Sequence, residues 1–153
     1  MTLDLYATQQ DVYAYAQANL AVQVFHTNYP SGELEPFGEN GVMAPYAVLR
    51  VNDALRVVST QNGGSIAGAR ADEMYTLFDF LCVAPDGDTA TLLAYGPGGV
   101  ADTMQGFVPV DAGPLVRAGG GQVFVVNDGT GARPSNVIAR VSFRCQVNMI
   151  QDL

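Results

Sequence analysis

The sequence predicts an α+β domain, with a mixed or antiparallel β-sheet, two helices packed on one side of it, and long loops between the elements. From residue 139 to 147, apolar and polar side chains alternate, and the odd positions of 137–147 are all apolar, which is the period of a half-buried strand. Residues 73–83 are apolar on both faces of a strand, as in the centre of a sheet. Residues 8–20 and 90–104 repeat apolar side chains at helical spacing. Helices and strands of this kind pack as layers around one core.

Length and composition predict a single folded domain over residues 1–153. Hydrophobic residues make up 48% of the 153 residues and charged residues only 14%, whereas disordered chains show the opposite balance. Neither an internal repeat nor a linker divides the chain. A surface this poor in charge indicates that other subunits cover part of it.

The charge balance argues against nucleic-acid and membrane binding. The net charge is -8, from 15 acidic and 7 basic residues, and all seven bases are arginine. No basic stripe is present to grip phosphate backbones or anionic lipid. The N-terminus lacks the basic and apolar regions of a signal peptide, and no stretch approaches the ~18 apolar residues of a membrane span. We therefore expect a cytoplasmic site of synthesis and no membrane association.

The chain begins with a predicted helix and a short strand. Thr8 is followed three residues later by Asp11, as in a capping box, and Asn19 marks the expected end of the helix. Residues 21–26 then alternate as a strand. Residues 27–44 are rich in glycine, proline and glutamate and are predicted to form a long loop of the kind that often has a function.

The middle of the chain holds a second strand and a second loop. Residues 45–51 are predicted to be a strand, and residues 56–60 either continue it or form its hairpin partner. Residues 61–71 contain three glycines and are predicted to be flexible.

Residues 73–83 are predicted to form a central strand covered on both sides. The one charged side chain within the apolar run is Asp79, which we expect to face an interface. The apolar side chains divide between the two faces as Tyr75, Leu77, Leu81 and Val83 on one, and Met74, Phe78, Phe80 and Cys82 on the other.

A helix is predicted over residues 90–104, with Asp88 as its N-cap. Pro97 lies within a Gly-Pro-Gly-Gly run, and proline removes a helical hydrogen bond. We therefore expect this helix in two pieces, ending before Gly106 at the C′ position.

The C-terminal part is predicted to be a loop over 107–121, a strand over 122–126, a turn, and the alternating strand over 137–147. The polar face of the last strand carries Arg140 and Arg144. These arginines are either solvated or pair with acids of a neighbouring subunit, because the guanidinium fork binds carboxylates in two places.

No constellation for catalysis or metal binding is found, so we expect no enzymatic activity, no cofactor and no metal. His26 is the only histidine, and it lacks the partners that a triad or a metal site needs. The glycine-rich runs lack the Lys-Ser/Thr pair of a phosphate-binding loop. Cys82 and Cys145 lie in apolar runs and are predicted to be buried, reduced thiols.

The order of elements resembles that of the tail terminator proteins of long-tailed bacteriophages, in particular those of actinophages. The second helix ends in Gly106-Phe107-Val108-Pro109, which is similar to the leucine-glycine-aromatic-x-proline ending in that family. A Pro-Tyr-x-Val-Leu strand at residues 45–49 and a last strand that runs nearly to the C-terminus also match. The resemblance covers nearly the whole chain; the Gly-Pro-Gly-Gly run departs from it, since relatives carry an unbroken helix there.

The resemblance implies a structural virion protein at the head-proximal end of the tail. It would form a ring of six copies that caps the tail tube, ends tube polymerisation and joins the tail to the head-side connector. Genomic DNA would pass through the ring without specific binding. The candidate partner-binding residues are Arg140, Arg144 and Asp79 in the strands, Glu33, Glu35 and Glu39 in the loop 27–44, and Arg70 in the loop 61–71.

Two other functions are open at this point. The chain could be a different neck component, such as a head-completion or connector protein, that lies on the head side and does not stop tube growth. It could also be a small-ligand-binding α+β domain, which would be a monomer or dimer with a polar, concave pocket.

Overall fold

The computed structural model has the predicted α+β fold, with one sheet and helices on one side of it. It describes residues 5–26, 44–57, 73–119, 122–127 and 136–148. The elements are α1 (Leu5–Asn19), β1 (Gln23–His26), β2 (Tyr46–Val57), β3 (Glu73–Ala84), α2 (Gly87–Tyr95), α3 (Val100–Met104), β4 (Val116–Arg117), β5 (Gln122–Asn127) and β6 (Asn136–Asn148).

The strands form one six-stranded mixed sheet in the order β1-β2-β3-β6-β4, with β5 also paired to β6. β1 runs parallel to β2, and all the other pairs are antiparallel. β3 and β6 pair without interruption from Glu73↔Asn148 to Ala84↔Val137. The predicted central position of β3 is therefore confirmed, because it is hydrogen-bonded to β2 on one side and β6 on the other.

The main core lies between the sheet and the helices. Its largest members include Phe78 and Phe80 of β3 and Phe143 of β6, none of which is exposed to solvent. Phe80 and Phe143 meet edge to face, with ring centroids 5.9 Å apart. Helices contribute smaller side chains, which let them approach the sheet closely: Val12, Ala16, Ala90, Ala94, Val100 and Met104.

The capping box predicted at the start of α1 is wrong. The helix begins at Leu5, so Thr8 lies inside it, buried, and its hydroxyl donates to the carbonyl of Val110 at 2.8 Å. The carboxylate of Asp11 accepts from the backbone N–H of Val110 at 2.8 Å. Both side chains therefore anchor the segment after α3 instead of capping α1.

The second helix is divided into α2 and α3, as Pro97 predicted. The N-cap of α2 is Asp86, not Asp88; its carboxylate accepts from the backbone N–H of Thr89 at 2.7 Å. Gly99 permits the tight junction, because a Cβ there would lie 2.5 Å from the carbonyl oxygen of Leu93. Gly106 has a φ of 84°, which confirms its C′ role after α3.

Other boundaries differ by a few residues. β1 begins at Gln23, two residues later than predicted, and β2 continues to Val57 with a register shift between Asn52 and Leu55. Residues 56 and 57 therefore continue the strand, and residues 58–60 of that segment lie outside the described residues. Residues 107–121 were predicted to be a loop throughout. This is wrong for Val116–Arg117, which form the two-residue strand β4 and pair with β6.

Candidate functional site

The sheet presents two different faces. One is covered by the three helices and forms the main core. On the other, no described helix contributes to the buried cluster. We call this second surface the helix-free face. It is formed by Tyr46, Val48 and Arg50 of β2, Tyr75, Leu77, Asp79, Leu81 and Val83 of β3, and Ile138, Arg140, Ser142, Arg144 and Gln146 of β6.

One end of the helix-free face is apolar. Five side chains there form a second buried cluster, and each is at most 6% exposed: Tyr46, Val48, Leu81, Val83 and Ile138. Phe25 of β1 packs against this cluster and meets the ring of Tyr46 edge to face at 5.6 Å. The five clustered side chains carry no charge, and Arg140 borders them, opposite Leu81 on β3.

The other end carries arginines around one carboxylate. Asp79 accepts a hydrogen bond from the hydroxyl of Ser142 at 2.6 Å and is 3.4 Å from the guanidinium of Arg140. The Nε of Arg140 also donates to the hydroxyl of Ser142 at 3.1 Å. Asp79 is 13% exposed and Arg140 is 43% exposed, so the acid is fixed while much of the base still meets solvent.

Arg144 and Arg50 extend this charged end, which we call the arginine end. The guanidinium of Arg144 lies over the ring of Tyr75, 5.5 Å from its centroid, and the side chain is exposed. Arg50 is exposed and lies opposite Asp79 on the neighbouring strand. The arginine end thus carries three cations, Arg50 on β2 and Arg140 and Arg144 on β6. They surround Asp79 of β3, which already has partners inside the chain.

Most of the exposed charge is separated between the two layers of the domain; the exception is Arg117, whose guanidinium lies on the helix side, 5.0 Å from the centroid of the Tyr95 ring. The three described helices contain no basic residue, whereas every arginine that the structure describes lies in a strand. Exposed acids lie in α2 and α3 or in the segments next to them: Asp86, Asp88, Asp102 and Asp111. Asp86 is held ionised, because the N–H and hydroxyl of Thr89 lower the pKa of its carboxyl group.

Three of the seven candidate residues predicted from sequence lie together at the arginine end: Asp79, Arg140 and Arg144. Their contact with another subunit stays a prediction. The other four, Glu33, Glu35, Glu39 and Arg70, lie outside the described residues.

Sequence reasoning missed the direct pairing of Asp79 with Arg140, and it missed Ser142 between them. The alternation of β6 places Ser142 on the same face as both arginines, which is a usable signal. The register between β3 and β6 is not encoded in either strand alone.

The remaining chemistry of the described residues is sparse. Both cysteines are buried and free, as predicted. Burial raises the pKa of Cys82 to about 12 and that of Cys145 to about 11, so both thiols are protonated at neutral pH and are poor nucleophiles. His26 stacks on the ring of Tyr13 at 5.2 Å.

No group of three or more histidine, cysteine or carboxylate side chains in the described part of the chain is arranged to hold a metal ion. None of the described helices is long and apolar enough to cross a membrane.

Comparison with known proteins adds no family assignment. No family model matches the chain, and no curated protein matches it significantly. The helix-free face, apolar at one end and arginine-bearing at the other, is therefore the main candidate for a functional surface.

Proposed function

We propose that this chain is a structural virion protein of a long-tailed bacteriophage. In this role, copies of it form a ring that closes the head-proximal end of the tail tube and joins it to the head-side connector. The resemblance described above supports the proposal through its order of elements. α1, β1, β2, β3, the helical segment α2–α3 and the long final strand β6 occur in that order.

The single observation that carries the proposal furthest is the helix-free face. This face holds exposed Arg144 beside Tyr75 and Leu77, which are only half-buried within the chain. A ring subunit needs a surface of this mixed kind, because interfaces between subunits are rich in arginine and aromatic side chains. The same face could lie against a neighbouring copy, the tube protein or the connector.

The acidic balance suits a ring through which DNA moves. With a net charge of -8, the chain repels the phosphate backbone overall. At the arginine end, Arg140 is already paired with Asp79 within the chain. In the proposed ring, DNA therefore passes without being held.

One feature favours a different class of function, binding of a small ligand. An open groove beside the edge strand β1 is lined by Tyr13, Gln17 and residues 21–25. Its polar groups already bind one another, since the hydroxyl of Tyr13 donates to the carbonyl of Val24 at 3.1 Å and accepts from the amide of Gln17 at 3.1 Å. Three polar groups of the groove are therefore already engaged within the chain, and we rank this function second.

A tube-growth assay tests the proposal. Purified tail tube protein from the same phage is polymerised with increasing amounts of this chain, and tube lengths are measured by negative-stain electron microscopy. A terminator shortens the tubes and leaves a ring-shaped density at one end, because a capped end adds no further subunits.

The control is the same chain unfolded and added at equal concentration, which should leave the tube lengths unchanged. A neck protein of the connector kind would bind neither growing tubes nor their ends until a terminator is present. Tubes of unchanged length, with no added density, would contradict the proposed function.

A further inference from the structure

We propose that copies of the chain meet head to tail, with the acidic helix side of one copy against the arginine end of the helix-free face of the next. The contact is centred on Asp88 at the start of α2 and on Arg144 of β6. This inference rests on the proposed ring and deepens it by naming the two surfaces that join its subunits.

The receiving surface combines charge with apolar area. Arg144 is exposed, and Arg140 retains 43% exposure although it is paired with Asp79. These two arginines are four residues apart on β6, which is ~13 Å along a strand. Leu77, half-buried, lies opposite Arg144 on β3, so an apolar side chain adjoins the cation.

The inserting surface is the outer side of α2. Asp88 and Leu92 are one helical turn apart and therefore lie on the same stripe of the helix. Leu92 is 62% exposed although it is a large apolar residue, and Asp88 and Thr91 beside it are also exposed. Asp88 and Leu92 of α2 thus complement Arg144 and Leu77 of the sheet: the acid matches the cation, and one leucine matches the other.

The charge separation selects a second copy in this orientation. A symmetric contact centred on Asp88 would bring acids against acids, and one centred on Arg144 would bring arginines against arginines. Like charges facing each other at an interface are costly. The head-to-tail contact instead pairs Asp88 with Arg144, and a head-to-tail contact between identical chains is the kind that closes into rings. Each copy carries both halves of this contact, so no other partner is required.

Charge reversal tests the contact. In Asp88→Arg the introduced arginine faces Arg144 of the next copy, and in Arg144→Asp the introduced aspartate faces Asp88. Each variant alone should need at least ~10-fold more protein than the wild type to self-associate, because like charges now meet. Self-association is measured by sedimentation velocity at low salt and, at tube ends, by the concentration that half-maximally caps tubes.

Mixing the two variants in equal amounts gives the sharper result. Alternating copies then form two kinds of contact. One brings the arginine introduced at position 88 against the aspartate introduced at position 144, and the other brings the native Asp88 against the native Arg144. Both contacts pair opposite charges, so the mixture should recover most of the wild-type association, while neither variant does so alone.

Two controls separate the contact from general effects. Asp88→Asn and Ala18→Arg each change the net charge by one unit in the same direction, but Ala18 lies at an exposed position of α1. Asp88→Asn should weaken association, by less than Asp88→Arg does, whereas Ala18→Arg should leave it unchanged. Circular dichroism and thermal unfolding of every variant check that the fold is kept.

The outcomes distinguish this inference from the function on which it rests. If both reversal variants associate and cap tubes like the wild type, or if the mixture recovers nothing, the head-to-tail contact is wrong and the capping function stands. Equal losses in Ala18→Arg and Asp88→Asn would also overturn the contact, since the effect would then be one of net charge. If the wild type neither associates nor caps tubes, the proposed function fails and the inference fails with it.

Discussion

The two faces of the sheet differ in how they are completed. The helix-covered face is apolar apart from the buried Thr76 and is closed by α1, α2 and α3 of the same chain. The helix-free face has a small apolar cluster at one end and the Asp79–Ser142–Arg140 arrangement at the other. The difference teaches that one face stabilises the fold while the other retains groups able to bind a partner. Because β3 and β6 contribute to both faces, neighbouring residues of one strand should respond differently to mutation.

The largest expected effect is at the centre of the helix-covered face. Phe143→Ala should lower the free energy of unfolding by about 3–5 kcal/mol, because a fully buried aromatic ring is lost and a cavity remains. The measurement is equilibrium urea denaturation. The matched control is Arg144→Ala, the next residue of β6 on the opposite face, which should cost no more than ~1 kcal/mol. Equal losses at the two positions would contradict the contrast between the faces.

A smaller loss of unfolding free energy is expected on removing the carboxylate of Asp79 from the helix-free face. Asp79→Ala should cost about 1–3 kcal/mol, since Ser142 and Arg140 lose the acceptor that they share. A double-mutant cycle with Ser142→Ala measures the coupling, which should be positive because the hydroxyl donates to Asp79 at 2.6 Å. Arg144→Gln serves as the control partner, and its effect should add to that of Asp79→Ala. Additive effects of Asp79 and Ser142 would show that their hydrogen bond contributes nothing.

Thr8→Val should cost about 1 kcal/mol, as is typical of one buried hydrogen bond. The change preserves shape but removes the hydroxyl that binds the carbonyl of Val110, and so loosens the segment after α3 from α1. Thr103→Val is the control, because its hydroxyl makes an exposed bond of 3.2 Å to Gly98. Chemical denaturation of both variants checks the prediction, which fails if the exposed bond matters as much as the buried one.

The smallest effect on the free energy of unfolding at neutral pH is expected from the ionisation of Cys82. This effect grows as the pH rises. Its pKa is raised from 9.0 to about 12 by burial, so the unfolded chain releases this proton first. The stability that the neutral thiol contributes is fully present below pH 9 and is lost as the pH rises from 9 towards 12. Between pH 9 and pH 12, the unfolding free energy of Cys82→Ala should therefore fall less steeply with pH than that of the wild type. Denaturation at a series of pH values measures the two slopes. Parallel slopes for the wild type and the variant would exclude the thiol as a cause.

The strands and helices that follow a simple period were predictable from the sequence. β3 and β6 were found within one residue of their bounds, and the break between α2 and α3 was found from Pro97. Thr8 and Asp11 were misassigned because a capping pattern is only a local preference, and a tertiary partner, Val110, took both side chains. β4 was missed because a strand of two residues has no period to detect.

The sequence by itself determined which side chains share a face along each strand, because successive side chains alternate between the two faces. It also determined that the chain carries few charges and that arginine supplies every base. Only the tertiary structure decided that Asp79 lies beside Ser142 and Arg140, more than sixty residues away, and that Arg140 and Arg144 lie on the face of the sheet opposite to the helices. Pairing between distant strands depends on register and sheet order, which no single segment encodes.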